Sequence, residues 1–208
     1  MDVKFFDKKT KKFYKLLTTQ TWPTVLVSGI RMHRTDGIDP KTDTWLKIKS
    51  LGKIYGNILD TCTGLGYTAI VAAKIKDVKW VLTFEKDKNI ISIAKQNLFS
   101  RDLFENEKIM LLLCDVSIGI KFLKSEFFDF IIHDPPRFSL SPELYSQEFY
   151  NELYRVLKKR GRLFHYTGNP GSKQGKNMVK GMCKRLKIAG FKVVRKVEKA
   201  SGVVVCKH

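Results

Sequence analysis

The segment Asn57-Ile58-Leu59-Asp60-Thr61-Cys62-Thr63-Gly64-Leu65-Gly66-Tyr67 decides how this chain is read. An apolar run ends in an acid, passes a glycine-rich turn and opens a helical pattern. Glycines at such a turn adopt torsions that side chains forbid and let backbone N–H groups approach a ligand. The turn is not a dinucleotide fingerprint, because Cys62 stands where the first glycine belongs. It is not a phosphate loop either, since no Gly-Lys-Ser/Thr follows. A carboxylate at the strand end suits a cationic ligand better than a pyrophosphate.

Downstream of residue 57, short apolar runs alternate with helical patterns, the signature of a parallel α/β sheet. Strands are expected at Asn57–Thr61, Trp80–Glu85, Ile109–Cys114, Phe128–His133 and Arg162–Thr167. Helices are expected near Tyr67–Ile75, Asp87–Phe99, Ser117–Lys124 and Glu143–Leu157, the last capped by Ser141 and opened by Pro142. A fifth helix, Gln174–Ile188, would turn Met178, Met182 and Leu186 inward and Lys176, Lys180 and Lys184 outward. The final segment reads as an antiparallel hairpin with its turn near Lys199–Gly202. The fold class is thus α/β, a Rossmann-like, mostly parallel sheet that closes in an antiparallel hairpin. Residues 1–56 read as a small β-rich extension: two short strands joined around Trp22-Pro23, then a helix from about Pro40 to Ser50. Residues 57–208 form the main domain.

Two further acids end strands. Glu85 lies 25 residues after Asp60, where an acid can accept ribose hydroxyls. Asp115 follows the third strand, within reach of an adenine amino group. Ligands of open parallel sheets bind beyond the carboxyl ends of strands, so these acids converge on one crevice.

Charge is the informative part of the composition. The 208 residues carry 39 Lys+Arg against 20 Asp+Glu, a formal net of +19. Residues 158–199 hold 14 basic residues and one acid, Glu198. Residues 57–157 are close to balanced. A neutral enzyme core between basic flanks points to a polyanionic partner, usually nucleic acid. With 43% hydrophobic residues the chain can bury a core, which excludes a disordered tail. No apolar run reaches the roughly 18 residues of a membrane span, and no signal peptide is recognisable. Cys62, Cys114, Cys183 and Cys206 form no CxxC pair, so neither a metal site nor disulfides are expected, and the cytoplasm is the default compartment.

The pattern of Asp60, Gly64 and Gly66, then Glu85, then Asp115, resembles class I S-adenosylmethionine-dependent methyltransferases. The resemblance runs from about residue 57 through the final hairpin. It implies that Asp60, Thr61, Cys62, Gly64 and Gly66 cradle the methionine part of S-adenosylmethionine, that Glu85 holds its ribose and that Asp115 reads its adenine. More narrowly, DTCTGLGYTA, GIRMHR and HDPPRFS resemble an archaeal group of predicted methyltransferases.

His133-Asp134-Pro135-Pro136-Arg137-Phe138 ends the fourth strand, beside the first. The two prolines fix the backbone and remove two donors, so Asp134 and the nearby carbonyls are expected to face outward as acceptors for an amine. The segment is similar to the (Asp/Asn)-Pro-Pro-aromatic signature of amino-group methyltransferases, with Arg137 in the aromatic's place and Phe138 after it. The expected catalytic group is Asp134 with Pro135 and Pro136, with His133 as a candidate proton acceptor. DPPR is also similar to enzymes that methylate pyrimidine carbon 5, but these need a cysteine nucleophile. Here the fifth strand ends in Tyr166-Thr167-Gly168-Asn169-Pro170-Gly171. Arg31, His33 and Arg34 of the extension, Arg137, Phe138 and the lysines Lys176 and Lys180 are candidate substrate contacts. His165 reads as a core residue.

The expected reaction is methyl transfer to a nucleobase nitrogen of tRNA or rRNA, with a homodimer or an accessory subunit helping to bind RNA. The alternative is a small-molecule methyl- or aminopropyl-transferase. PELYSQEFYNELYRVLKKRGRLF is similar to the matching stretch of polyamine aminopropyltransferases, whose cationic acceptors need acidic pockets.

Overall fold

The computed structural model describes residues 3–168 and 173–208. The chain begins as an antiparallel meander of β1 (Lys4–Asp7), β2 (Lys12–Leu17), β3 (Thr24–Val27) and β4 (Ile30–Arg31). The extension therefore has more strands than its apolar runs suggest. β1 escapes a hydropathy reading because charged Lys4 and Asp7 bound its two phenylalanines. The second expected strand is cut by Ser28-Gly29, both at positive φ (46° and 86°). That is the two-residue turn whose twist suits a hairpin, and it pairs Val27 with Ile30. Helix α1 (Pro40–Ser50) follows where expected, its N-terminus capped by Asp39.

The main sheet alternates strands and helices: β5 (Gly56–Asp60), α2 (Tyr67–Ala73), β6 (Val78–Glu85), α3 (Lys88–Gln96), α4 (Asp102–Glu105), β7 (Ile109–Leu113), α5 (Val116–Gly119), β8 (Phe128–His133), α6 (Gln147–Val156), β9 (Leu157–Tyr166), α7 (Lys173–Ile188), β10 (Lys192–Val197) and β11 (Gly202–Cys206). Its strand order is β10-β11-β9-β8-β5-β6-β7. β9, β8, β5, β6 and β7 run parallel, and β11 runs antiparallel to both β9 and β10. This is the expected parallel sheet with a terminal hairpin. The central strands are apolar on both faces because helices cover both.

On one face Tyr150, Leu153 and Val156 of α6 and Met182 and Leu186 of α7 meet Leu59, Ile131 and Leu163. On the other, Ile48 of α1 and Ala69 and Ala72 of α2 pack on Ile58, Phe130 and Phe164. The meander rests on α2 and α3 through Tyr14, Val25 and Val27 against Tyr67, Ile70 and Ile93. Arginines tie down the C-terminal end of α1: Arg195 donates to the Ser50 carbonyl at 2.6 Å and Arg162 to that of Leu51 at 3.1 Å.

Several expected boundaries move for local reasons. The helix expected from Glu143 opens as a 3-10 turn over Pro142–Tyr145, and α6 starts at Gln147 because Ser146, not Ser141, caps it. The helix expected at Ser117–Lys124 is α5 followed by a 3-10 turn, Ile120–Phe122. On α7, Met178 is 37% exposed and Val179 takes its inward place. Asn169, Pro170 and Gly171 lie outside the described residues. β9 starts early because its first turn bulges: Leu157 pairs with Phe128, yet Arg162 is the next paired residue, opposite Phe130. Arg160 adopts φ 64° inside that bulge.

Lys207 closes the bulge. Its buried ammonium donates to the carbonyls of Tyr154 and Leu157, both at 2.9 Å, and pairs with Glu126 at 3.1 Å. Lys207→Ala strands two carbonyls and should cost about 2–3 kcal/mol. Urea unfolding should show this as a lower midpoint at unchanged slope; an unchanged midpoint refutes it.

Candidate functional site

The crossovers from β5 lead through α2 toward β6 and β7, while β8 flanks β5 on its other side. The strand ends therefore open into a crevice at the point where the strand order reverses. Asp60 ends β5, Glu85 ends β6, Asp115 follows β7 and Asp134 follows β8.

Asp60 is fully buried. Its Oδ2 accepts from Thr83 at 2.9 Å and Thr68 at 3.1 Å. Its Oδ1 has no partner and is the one atom of that kind among the described residues. Burial, reinforced by the charge of Asp134, pushes its carboxyl up to about 7. A buried carboxylate oxygen with nothing to accept is a demand for a donor. Gly64 (φ 54°) has open space where a side chain would begin, whereas a Cβ on Gly66 would strike Leu103. The Gly64 N–H donates to Glu85 Oε2 at 3.0 Å and the Asp87 N–H to Oε1 at 2.9 Å, so Glu85 also shapes the turn. Burial raises its carboxyl. Asp115 caps α5 through Ser117 and lies 3.5 Å from Lys86. Against the cost of burial, Ser117 and Lys86 hold it below its ordinary value. An orphaned acid, an open glycine turn and two strand-end carboxylates fit a ligand with an ammonium group, a ribose and an adenine.

Asp134 is not the free acceptor expected from the sequence. Its Oδ2 binds the Lys47 ammonium at 2.6 Å. Lys47 also binds Asp43 at 2.8 Å, and Arg34 takes the other oxygen of Asp43 at 2.7 Å. Burial pushes the Asp134 carboxyl up and Lys47 draws it back. Against the cost of burial, Asp134 and Asp43 hold Lys47 well above the ordinary lysine value, so it stays charged. The Pro136 carbonyl, also expected to face outward, accepts from the Tyr145 hydroxyl at 2.7 Å.

His133 has no ring nitrogen left for a proton from substrate. Nδ1 lies 2.8 Å from the Thr61 hydroxyl and Nε2 3.0 Å from the Leu144 carbonyl, and the ring is fully buried. Burial and neighbouring His165 hold it neutral. His33 is neutral too, pushed to about 3 by burial and then by Lys47. The Thr24 hydroxyl accepts from the His33 backbone N–H and lies 3.0 Å from Nδ1. With its value pushed so low, His33 is a weak base at neutral pH. His165 is the satisfied core residue expected, held between the Tyr150 hydroxyl and the Tyr166 carbonyl.

Arg31 and Arg34, both candidate substrate contacts, face different ways. Arg34 points inward to Asp43 and the Lys199 carbonyl, while Arg31 is exposed beside Thr35. Arg31 lines an open cleft of about 590 Å³ with Thr18, Gln20, Thr24 and Asp39. Arg137 is exposed; Phe138 is also exposed and stands edge-on to Tyr145 with ring centroids 5.5 Å apart. Lys176 and Lys180 lie on the exposed side of α7. Burial, and then Glu85, push the Cys62 thiol up, so it stays protonated and is no nucleophile. Lys47 and Asp43 were not among the expected site residues.

A family model described as S-adenosyl-L-methionine-dependent methyltransferase matches residues 88–202. An uncharacterized protein of Methanocaldococcus jannaschii is 50% identical over 197 residues, 94% of this chain and 67% of that protein. The polyamine aminopropyltransferase of Saccharolobus solfataricus is 32% identical over 128 residues, 58% of this chain and 42% of its own length. A crystal structure of spermidine synthase in complex with the transition-state analogue AdoDATO superposes with a TM-score of 0.76 at 18% identity, covering 98% of this chain and 71% of that one. The chain belongs to the S-adenosylmethionine-dependent methyltransferase family. Its cofactor is S-adenosylmethionine. Among the described residues no helix is long and apolar enough to cross a membrane.

The raised Asp60 carboxyl is largely protonated below about 7, and a cation beside it favours the ionised form. Binding therefore releases a proton, and cofactor affinity should tighten as pH rises from 6 to 8. The folded value lies above the unfolded one, so the same group makes the free protein less stable as pH rises from about 4 toward 7. Calorimetry on Asp60→Asn should find the affinity trend flattened; a trend identical to the parent's refutes the assignment.

Proposed function

We propose that this chain transfers a methyl group from S-adenosylmethionine to a nucleobase nitrogen of RNA, either tRNA or rRNA. The carrying observation is one partly exposed carboxylate, Asp134, at the strand end beside Asp60, in a chain whose residues 158–199 hold 14 basic side chains and a single acid. The three outward lysines of α7, Lys176, Lys180 and Lys184, are all exposed and suit a phosphate backbone. They do not suit a polyamine.

In this reading Asp60, Gly64, Glu85 and Asp115 hold the cofactor, which supplies the sulfonium-activated methyl group. Asp134, fixed by Pro135 and Pro136, accepts an N–H of the incoming amine, aligns its lone pair and takes a proton late. Lys47 favours the ionised form of Asp134, the form that can accept. Arg31 and His33 of the extension are assigned to the rest of the nucleotide, and Phe138 offers an exposed ring to a base. Aminopropyl transfer to a cationic amine is the second reading, favoured by the likeness to polyamine aminopropyltransferases and spermidine synthase.

The decisive assay offers the protein labelled S-adenosylmethionine with total tRNA or rRNA, and decarboxylated S-adenosylmethionine with a diamine. Nucleoside mass spectrometry should find a methylated base in RNA. An aminopropylated amine with unlabelled RNA overturns the proposal. Asp134→Asn should keep cofactor affinity within a few fold and lower turnover by about 10²-fold. RNA affinity should fall with salt at a log–log slope of about −0.7 per neutralised phosphate. Replacing Lys176, Lys180 and Lys184 with alanine should make that slope shallower, and an unaltered slope removes α7 from the interface.

A further inference from the structure

Lys47 reaches the acceptor site from the extension, on a helix whose neighbouring Ile48 and Leu51 are core residues. Its side chain is 5% exposed. It completes a linear array, Arg34–Asp43–Lys47–Asp134, with contacts of 2.7, 2.8 and 2.6 Å. The ammonium also lies 5.1 Å from the centre of the Tyr166 ring. The two inner groups, Lys47 and Asp43, are well shielded at 5% and 2% exposed, while the two ends, Arg34 and Asp134, are each 22% exposed, and Asp134 is the end at the strand-end crevice. The carboxylate shown to an acceptor is thus compensated from behind. Buried ion pairs of this kind rarely stabilise a fold better than apolar residues would, so their presence beside a reactive strand end calls for another reason.

Charge supplies that reason. A cationic amine entering opposite Asp134 would meet the ammonium already bound to Oδ2. Like charges drawn to the same carboxylate oppose binding, and specificity of this sort is built from repulsion as much as attraction. An uncharged amine faces no such penalty, because it asks only for a lone pair on the remaining oxygen. We propose that Lys47 is a specificity-determining residue, which makes the acceptor site take an uncharged nitrogen and reject a cationic amine. This rests on the reading of Asp134 as the carboxylate that orients the acceptor.

The test uses the full chain loaded with S-adenosylhomocysteine and 1,4-diaminobutane as a cationic probe. Lys47→Met combined with Asp43→Asn removes one charge of each sign and leaves Asp134 without its counter-ion. Calorimetry should show the probe binding about tenfold tighter or more than to the parent, a difference of about 1.4 kcal/mol. Lys47→Arg and Asp43→Asn alone should show no such gain, and RNA methylation by the double variant should drop about tenfold. Lys47→Gln, which can still bond Asp43, carries the same expectation should the double variant not melt cooperatively. Probe affinity that stays at the parent value in a folded Lys47→Met/Asp43→Asn or Lys47→Gln protein overturns the proposal, whatever the RNA assay reads. A parent protein that leaves RNA unmethylated overturns the RNA reading instead, and the affinity difference still judges Lys47.

Discussion

The parallel pairing of β5 with β8, which sets Ile58 opposite Phe130 and Asp60 opposite Ile132, constrains everything around it. Strand order reverses at this pair, so no crossover covers the carboxyl ends of the two strands. Asp60 and Asp134 are brought side by side by backbone hydrogen bonds, not by attraction; two acids would separate if left to themselves. The structure answers their repulsion with two different devices. Asp60 is screened by the hydroxyls of Thr68 and Thr83 and stays partly protonated. Asp134 is paired with a cation.

That cation ties the extension to the crevice. α1 is held against the sheet by arginines from β9 and β10, and Arg34 bonds the Lys199 carbonyl near the hairpin turn. The position of Lys47 is therefore set from three parts of the chain. The meander contributes at the other end, where Tyr14 donates to Asp87 at 2.6 Å beside the Glu85 turn. One element from the first 56 residues thus supports each half of the crevice.

The sheet was legible in the sequence because buried parallel strands read as apolar runs, and four of the five runs here stop at an acid, the exception being β9, which runs into Thr167-Gly168. Phe128–His133 was bounded correctly for that reason. Asp60, Glu85, Asp115 and Asp134 were visible as strand-end acids, and the fold does bring them to one edge. Lys47 was not visible. An Asp and a Lys four residues apart on a helix read as a solvated surface pair, and only tertiary packing buries them. Periodicity likewise could not separate Met178 from Val179, which differ by a single helical step. The bulge at Lys158–Gly161 has no local signature either, since it depends on Lys207, a residue some fifty positions later.

β11 lies between β9 and β10, although it follows both in the chain. During synthesis β10 leaves the ribosome with no neighbour to pair with, and β9 presents an open edge until Gly202–Cys206 arrives. The basic residues of β10, Lys192, Arg195 and Lys196, keep that waiting strand soluble and discourage it from pairing with another chain. Closure of the sheet is consequently a late, long-range event. The positive charge on this flank has a task at birth, before any partner is met.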